Sequence, residues 1–175
     1  MQHRRVDVFD LAKQSVAVSG QVELADLPRL AEGQSPQPAA DRAVAPLRYE
    51  LRGFVDERRR PAAVLRFSGE IDLVCDRCGA PLRWPLQGES RYFFVHTEDE
   101  LARLPVDEAD EEPLLGSPRF DLAALLEDEG ILALPMSPRH EDCQQQVVLP
   151  PSAHEQQPDK PNPFAQLSQL KARRS

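Results

Sequence analysis

Three consecutive runs between residues 47 and 96 alternate apolar and polar side chains, and this pattern constrains the fold more than any other feature of the chain. The runs cover residues 47–55, 65–73 and 82–96, and short polar segments with Pro or Gly separate them. A period of two is typical of strands with one buried and one solvated face, and short turns join such strands in antiparallel order. The chain is therefore predicted to form a small antiparallel β-sheet or a partly closed barrel.

A helix is predicted to pack on this sheet. Asp121 is a suitable N-cap residue, Leu122, Leu125 and Leu126 follow at helical spacing, and Pro135 ends the pattern. Before the sheet, the alternating residues 5–9 and 15–18 predict short strands, and residues 22–30 predict a short helix. The predicted fold class is α+β, with mobile loops and a largely disordered C-terminal tail.

The distribution of Pro and Gln divides the chain. Residues 1–143 are predicted to form a single α+β domain with a flexible loop near 31–46, where Gly33 and three prolines occur. Residues 144–161 are rich in Gln and Pro and are predicted to be a disordered linker. Residues 162–175 are predicted to form a short docking helix with a basic tip.

The docking helix is predicted from capping and apolar spacing. Asn162 before Pro163 is typical of a helix N-terminus, and apolar residues then recur every three positions before the basic tip. A helix this short needs a surface to pack on, which is either its own domain or a partner. The candidate partner-binding residues are Asn162, Pro163, Phe164, Leu167, Leu170 and Lys171.

Charge excludes several classes of protein. The 175 residues carry a net charge of −8, all of it after residue 90, and residues 98–129 contain 12 acidic and 2 basic side chains. This charge excludes a basic protein that coats RNA.

No apolar run is long enough for a membrane span or a signal peptide, so a cytoplasmic protein without a membrane partner is predicted. Phosphate-binding, dinucleotide and hydrolase motifs are absent, and neither an enzyme nor a small-molecule substrate is predicted.

The three cysteines lie in two clusters with identical internal gaps, Cys75-Asp-Arg-Cys78 and His140-Glu-Asp-Cys143. Three thiolates and one imidazole are a ligand set that zinc favours, and a two-residue gap lets both members of a pair reach one ion. The sequence therefore predicts one structural zinc ion bound by Cys75, Cys78, His140 and Cys143. The 61 residues between Cys78 and His140 exceed the spacing of zinc fingers, so the ion would join two distant segments.

Two alternatives to zinc stay open. The thiols could bind no metal, or Cys75 and Cys78 could form a redox pair in a zinc-dependent or thiol-based enzyme that acts on RNA or protein. Redox chemistry is favoured when a thiol lies at a helix N-terminus, whereas here the pair lies between two predicted strands. A zinc ion held by four protein ligands has no open position for a catalytic water.

Two charged surfaces are candidates for partner binding. The acidic residues of 98–112 and 127–129 could receive a basic partner such as a ribosomal protein or imitate a phosphate backbone, although acidic runs are more often solvated surface. Arg58, Arg59 and Arg60, in a predicted turn, could instead contact RNA, although arginines on the solvated face of a strand are also common in proteins without RNA partners.

Four motifs together resemble the YceD family of large ribosomal RNA subunit accumulation proteins. They are Cys75-Asp-Arg-Cys78-Gly79, Asp121-Leu-Ala-Ala-Leu-Leu-Glu127-Asp128-Glu129 before Ile131-Leu-Ala-Leu-Pro135, Pro138-Arg-His140-Glu-Asp-Cys143, and Lys160-Pro-Asn-Pro-Phe164-Ala-Gln-Leu167. The resemblance covers residues 47–171.

The resemblance implies a non-enzymatic ribosome biogenesis factor that supports the synthesis, processing or accumulation of 23S rRNA. The family's genes often adjoin that of a large-subunit ribosomal protein, so the implied partner is such a protein or a pre-50S particle, and 23S rRNA itself is a further candidate. Two residues depart from the family pattern: His140 stands where many relatives have Cys, and Gly130 stands where a larger residue is typical. Gly130 is expected to loosen its helix by roughly 1 kcal/mol relative to Ala.

Overall fold

The computed structural model describes residues 4–40, 43–104 and 111–143. Twelve elements follow one another along these residues, one of them a 3₁₀ turn at Leu24–Asp26. The strands are β1 (Arg5–Val6), β2 (Ala17–Val22), β3 (Leu47–Val55), β4 (Pro61–Val74), β5 (Pro81–Val95), β6 (Glu112–Leu115) and β7 (Phe120–Asp121). The helices are α1 (Val8–Gln14), α2 (Pro28–Glu32), α3 (Glu98–Ala102) and α4 (Leu122–Leu132).

The main sheet confirms the predicted α+β class. Its five strands lie in the order β2-β3-β4-β5-β6, and the pairs from β2 to β5 are antiparallel. Long alternating runs explain the continuous register of β4 and β5, in which Val74 opposes Pro81 at one end and Ala62 opposes Phe93 near the other. Within the described residues β2 and β6 are the sheet edges, so the sheet is open and the predicted alternative of a partly closed barrel is not formed.

One face of the sheet packs against α1, α2 and α4 to form the core. Leu51, Leu65 and Leu86 from the sheet are fully buried, as are Leu30 from α2 and Leu126 from α4. Asp121 caps α4 as predicted, because its Oδ1 accepts hydrogen bonds from the backbone N–H groups of Ala123 and Ala124, both at 3.1 Å.

Gly130 has a packing role that the sequence did not indicate. A Cβ atom at this position would lie 2.9 Å from Cδ2 of Leu30, so the missing side chain allows α2 to approach α4 closely. The helix nevertheless continues to Leu132. The glycine therefore makes room for α2 and does not end α4.

Two local predictions are corrected by the structure. The alternating residues 5–9 form a strand only at Arg5–Val6, because Asp7 then accepts hydrogen bonds from the N–H groups of Phe9 and Asp10 and starts α1. The strand β6 pairs with β5 in parallel, whereas the sequence predicted antiparallel pairing throughout the sheet. Residues 33–40 and 43–46 contain no helix or strand, while the mobility predicted for the 31–46 loop stays a prediction.

None of the helices among the described residues is long and apolar enough to cross a membrane. The predicted linker at 144–161 and the predicted docking helix at 162–175 lie outside the described residues, so the division of the chain stays a prediction.

Candidate metal centre

The first half of the centre is the tight turn that joins β4 to β5. The backbone N–H of Cys75 donates to the carbonyl of Ala80, and the N–H of Gly79 donates to the carbonyl of Cys75, both at 2.9 Å. Gly79 has a φ of 72°, in the left-handed region that suits glycine. This turn places the side chains of Cys75 and Cys78 at the same end of the sheet.

The second half of the centre is the segment after α4, which returns to this turn. The backbone N–H of Asp76 donates to the carbonyl of Pro138 at 2.9 Å, and Nη1 of Arg77 donates to the carbonyl of Cys143 at 3.4 Å. These bonds hold residues 138–143 against the β4–β5 turn. The structure thereby brings His140 and Cys143 to the two cysteines of the turn, across the 61 intervening residues.

The four side chains are close enough together to coordinate one ion. Their ligand atoms all lie within 4.8 Å of one another. The Sγ atoms of Cys75 and Cys143 are 3.8 Å apart, and Sγ of Cys78 is 3.5 Å from Nδ1 of His140. Zinc bonds of about 2.3 Å to sulfur and about 2.0 Å to nitrogen would place two sulfurs about 3.8 Å apart in a tetrahedron, and a sulfur and a nitrogen about 3.5 Å apart. These two distances match the edges of a tetrahedral zinc site, whereas the widest separation among the four ligand atoms, up to 4.8 Å, is longer than such an edge.

His140 is oriented by a hydrogen bond from its other ring nitrogen. Its Nε2 lies 3.1 Å from the carbonyl oxygen of Pro81, which can only accept, so Nε2 carries the proton. In the neutral ring this leaves a lone pair on Nδ1, the atom that faces Cys78. Metal-binding histidines commonly have such a bond, which fixes the ring and its tautomer.

The surroundings of Cys75 favour the thiolate. Burial raises the pKa of its thiol, but backbone N–H groups of His140, Cys78 and Arg77 donate to the sulfur and outweigh burial, and the pKa falls to about 5. For Cys143, burial and the hydrogen bond with Cys75 raise the thiol pKa. These opposite shifts favour Cys143 as the donor in the 3.8 Å contact between the two sulfurs. Thiolates are the form in which cysteine binds metal.

A family model of the large ribosomal RNA subunit accumulation proteins, YceD, matches residues 64–171 of the chain, which is more than half of its length. The chain belongs to the YceD family. A curated protein of Haemophilus influenzae named large ribosomal RNA subunit accumulation protein YceD is 38% identical to it over 127 residues, which cover 67% of this chain and 70% of that protein. No solved structure matches the chain significantly.

Membership in the YceD family confirms the resemblance read from the sequence motifs. The matched residues 64–171 include all four members of the Cys/His cluster, α4 and the predicted docking segment as far as residue 171. Strands β1, β2 and β3 precede the residues that the family model matches.

Of the three arginines proposed to contact RNA in this YceD chain, one is bound by other side chains of the same domain. Arg60 donates to the carboxylates of Asp56 and Glu111, and its guanidinium lies 3.7 Å from the centre of the Phe93 ring. Arg58 and Arg59 are exposed at the tip of the β3–β4 turn. A contact with RNA at this turn would therefore depend on Arg58 and Arg59.

The acidic surface predicted for partner binding is smaller than the sequence indicated. Glu127 is 6% exposed, and its Oε1 accepts hydrogen bonds from the backbone N–H groups of Arg29 and Leu30 at 2.6 and 3.3 Å. Asp128 pairs with Arg29 at 2.8 Å, and Glu129 accepts a hydrogen bond from the Ser90 hydroxyl. Glu127 and Glu129 therefore have partners within the domain, whereas Asp128 and the acidic residues at the start of α3 are exposed. Residues 105–110 lie outside the described part of the acidic segment.

The predicted partner-binding residues Asn162, Pro163, Phe164, Leu167, Leu170 and Lys171 also lie outside the described residues, and their role stays a prediction. Sequence reasoning missed the buried role of Glu127 and a groove beside His140. The position of Glu127 among the buried residues of α4 is the signal that could have indicated the first. The groove is formed by residues distant in sequence, and no local signal indicates it.

Proposed function

We propose that this protein is a biogenesis factor of the large ribosomal subunit that supports the accumulation of 23S rRNA in the cytoplasm. The observation that carries the proposal is the YceD family match over residues 64–171. The name of the Haemophilus influenzae relative supports it, because that protein is called a large ribosomal RNA subunit accumulation protein.

The protein is proposed to act by binding and not by catalysis. A zinc- or thiol-dependent enzyme is the second candidate, and the lowered pKa of Cys75 favours it. Against it, the Cys75 side chain is 1% exposed, and the described turn carries no helix N-terminus beside either thiol. Four protein ligands around an ion would also leave no position for substrate or water. The burial of Cys75 and the ligand number therefore favour a structural centre, although Cys78 is exposed.

The Cys/His cluster is proposed to bind one zinc ion. Three cysteine sulfurs and Nδ1 of His140 would hold the ion, which supplies a cross-link between the β4–β5 turn and the segment after α4. This cross-link would fix residues 140–143, from which the C-terminal part of the chain continues. The supporting observations are the proximity of the four ligand atoms, all within 4.8 Å of one another, and the oriented imidazole.

The proposed partner is a basic large-subunit ribosomal protein or a pre-50S particle that contains one. Exposed carboxylates at the start of α3 would attract such a partner, and the segment 162–175 would bind it through Phe164, Leu167 and Leu170. Direct contact of Arg58 and Arg59 with 23S rRNA is an additional proposal, supported by their exposure at the tip of a turn.

Affinity purification of the tagged full chain from growing cells tests the proposed partner. We expect large-subunit proteins and 23S rRNA to be enriched over small-subunit components in mass spectrometry and RNA sequencing. Deletion of residues 162–175 is expected to reduce this enrichment by about tenfold, since it removes the apolar stripe and the basic tip together.

A variant in which residues 162–175 are scrambled is the matched control, because it retains composition and charge but loses the spacing of Phe164, Leu167 and Leu170. It should behave like the deletion. Full enrichment with the scrambled segment would contradict docking through the stripe, and equal recovery of both ribosomal subunits would contradict the large-subunit assignment.

A further inference from the structure

A groove runs between the start of β5 and the segment that carries two of the candidate metal ligands. Its volume is about 710 Å³, and its walls are residues 82–85 on one side and 139–143 on the other. His140 and Cys143 belong to the second wall, so the groove adjoins the Cys/His cluster directly. Any change at the cluster would therefore change one wall of the groove.

The strand wall of the groove is apolar and contains the indole of Trp84. Leu82, Trp84 and Pro85 line it, and Trp84 is half-buried, with part of its surface packed against the core. Trp84 is the chain's single tryptophan. An indole face attracts cations more strongly than other aromatic rings do.

The opposite wall contributes two carboxylates, Glu141 and Asp142. Both residues are exposed, and neither forms a salt bridge with another described residue. With zinc bound, three thiolates and a neutral imidazole would give the cluster one net negative charge. The groove therefore has negative charge along the wall that faces the indole.

The positive charges near the groove do not cancel this negative charge. Arg83 donates hydrogen bonds to both Asp72 and Glu70, so two carboxylates lie beside its single positive charge. Arg139 is exposed and donates to the Ser137 hydroxyl, so it retains one uncompensated positive charge. Arg77, which is exposed and donates to the carbonyl of Cys143, adds a second positive charge. Against these two charges stand Glu141, Asp142 and the metal-filled cluster, which together carry three negative charges.

We propose that this groove binds a cationic side chain, lysine or arginine, from an extended segment of a basic protein. The aliphatic stem would pack on Leu82 and Pro85, and the charged end would lie between the indole of Trp84 and the carboxylates of Glu141 and Asp142. The inference rests on the proposed function, since it identifies the chemistry by which the basic partner is recognised. RNA fits the groove less well, because the charges of Glu141 and Asp142 repel phosphate.

The test uses the zinc-loaded full chain and a fluorescein-labelled peptide of four Gly-Arg-Gly-Lys repeats. Binding is measured by fluorescence anisotropy at low and at moderate salt, and the emission of Trp84 reports whether the peptide reaches the groove. We expect binding with a shift in Trp84 emission. Replacing both acids, Glu141→Gln with Asp142→Asn, is expected to weaken binding by roughly three- to tenfold.

A matched control replaces two other exposed acids, Asp10→Asn with Glu23→Gln, which do not line the groove. This variant should bind the peptide within about twofold of the parent. Because Glu141 and Asp142 lie between two ligands, zinc content is measured as well. Trp84→Leu, which leaves residues 140–143 unchanged, is expected to weaken binding by about three- to fivefold.

Equal affinities for both double variants, or binding without a change in Trp84 emission, would overturn the proposal. Tighter binding of oligouridylate RNA than of the peptide, with the same emission change, would overturn it in favour of a nucleic acid site. The assay contains purified components only. A negative result here together with enrichment of large-subunit precursors from cells would therefore reject the groove and leave the proposed function standing.

Discussion

Replacing Cys75 by serine is expected to abolish stoichiometric zinc binding and to lower the free energy of unfolding by roughly 4 kcal/mol. Cys75 is 1% exposed, so a water molecule cannot replace its sulfur as the fourth ligand. A metal that binds only the folded state adds about 4 kcal/mol when free zinc exceeds its dissociation constant a thousandfold. For a chain of this size the loss corresponds to a fall in Tm of about 10 °C. Zinc content by mass spectrometry and thermal unfolding by circular dichroism measure the two effects.

A chelator and a neighbouring substitution are the controls for this prediction. A strong chelator should lower the Tm of the parent protein by the same amount and leave that of Cys75→Ser unchanged. Asp76→Asn changes an exposed side chain between the two cysteines and keeps the backbone N–H that bonds Pro138, so it should retain zinc. A parent protein that purifies without zinc and has the same Tm with and without chelator would contradict the zinc proposal.

Replacing Glu127 by alanine is expected to lower the free energy of unfolding by about 3 kcal/mol. Its two carboxylate oxygens accept hydrogen bonds from the backbone N–H groups of Arg29 and Leu30 and from Nε of Arg29. Removing the carboxylate leaves two N–H groups at the start of α2 without their acceptor, and an unsatisfied buried donor costs about 1–3 kcal/mol. Arg29 itself is half exposed and can be solvated, which keeps the loss below that of a fully buried ion pair. Urea unfolding followed by circular dichroism measures the change.

Asp128→Ala is the matched control for Glu127→Ala, on the same helix and with a contact to the same arginine. Its pair with Arg29 is exposed on both sides, so the expected loss is below about 1 kcal/mol. If the two variants lost equal stability, Glu127 would not have the buried role that distinguishes it from its neighbour. If Glu127→Ala kept full stability but lost partner binding, the original interpretation of 127–129 as a partner surface would be restored.

The main sheet and α4 were predictable from the sequence because their signals are local. Alternation over residues 47–55 requires one buried and one solvated face whatever the strand packs on, and Asp121 caps α4 through its own backbone neighbours. Helix α1 also had a local signal, Asp7 as N-cap, but alternation at residues 5–9 pointed to a strand. The parallel β6 had no such signal, because its pairing with β5 depends on a connection of 16 residues between them.

The candidate metal centre was predictable in part. A two-residue gap within each cluster identified all four residues of the candidate site, but sequence alone could not show that the clusters meet. Their meeting depends on the return of the chain after α4 and on the bond between Asp76 and Pro138. Glu127 was misread for a related reason: a charged residue beside other acids looks solvated until α2 is placed over it.

The amount of 23S rRNA relative to 16S rRNA tests the central claim most directly. It is measured in cells from which the gene has been removed and in the same cells expressing the full chain. We predict that the ratio falls clearly below the parent value on removal and returns to it with the full chain, since a large-subunit factor affects one subunit and leaves the other as an internal standard. An unchanged ratio, or an equal loss of both rRNAs, would contradict the account.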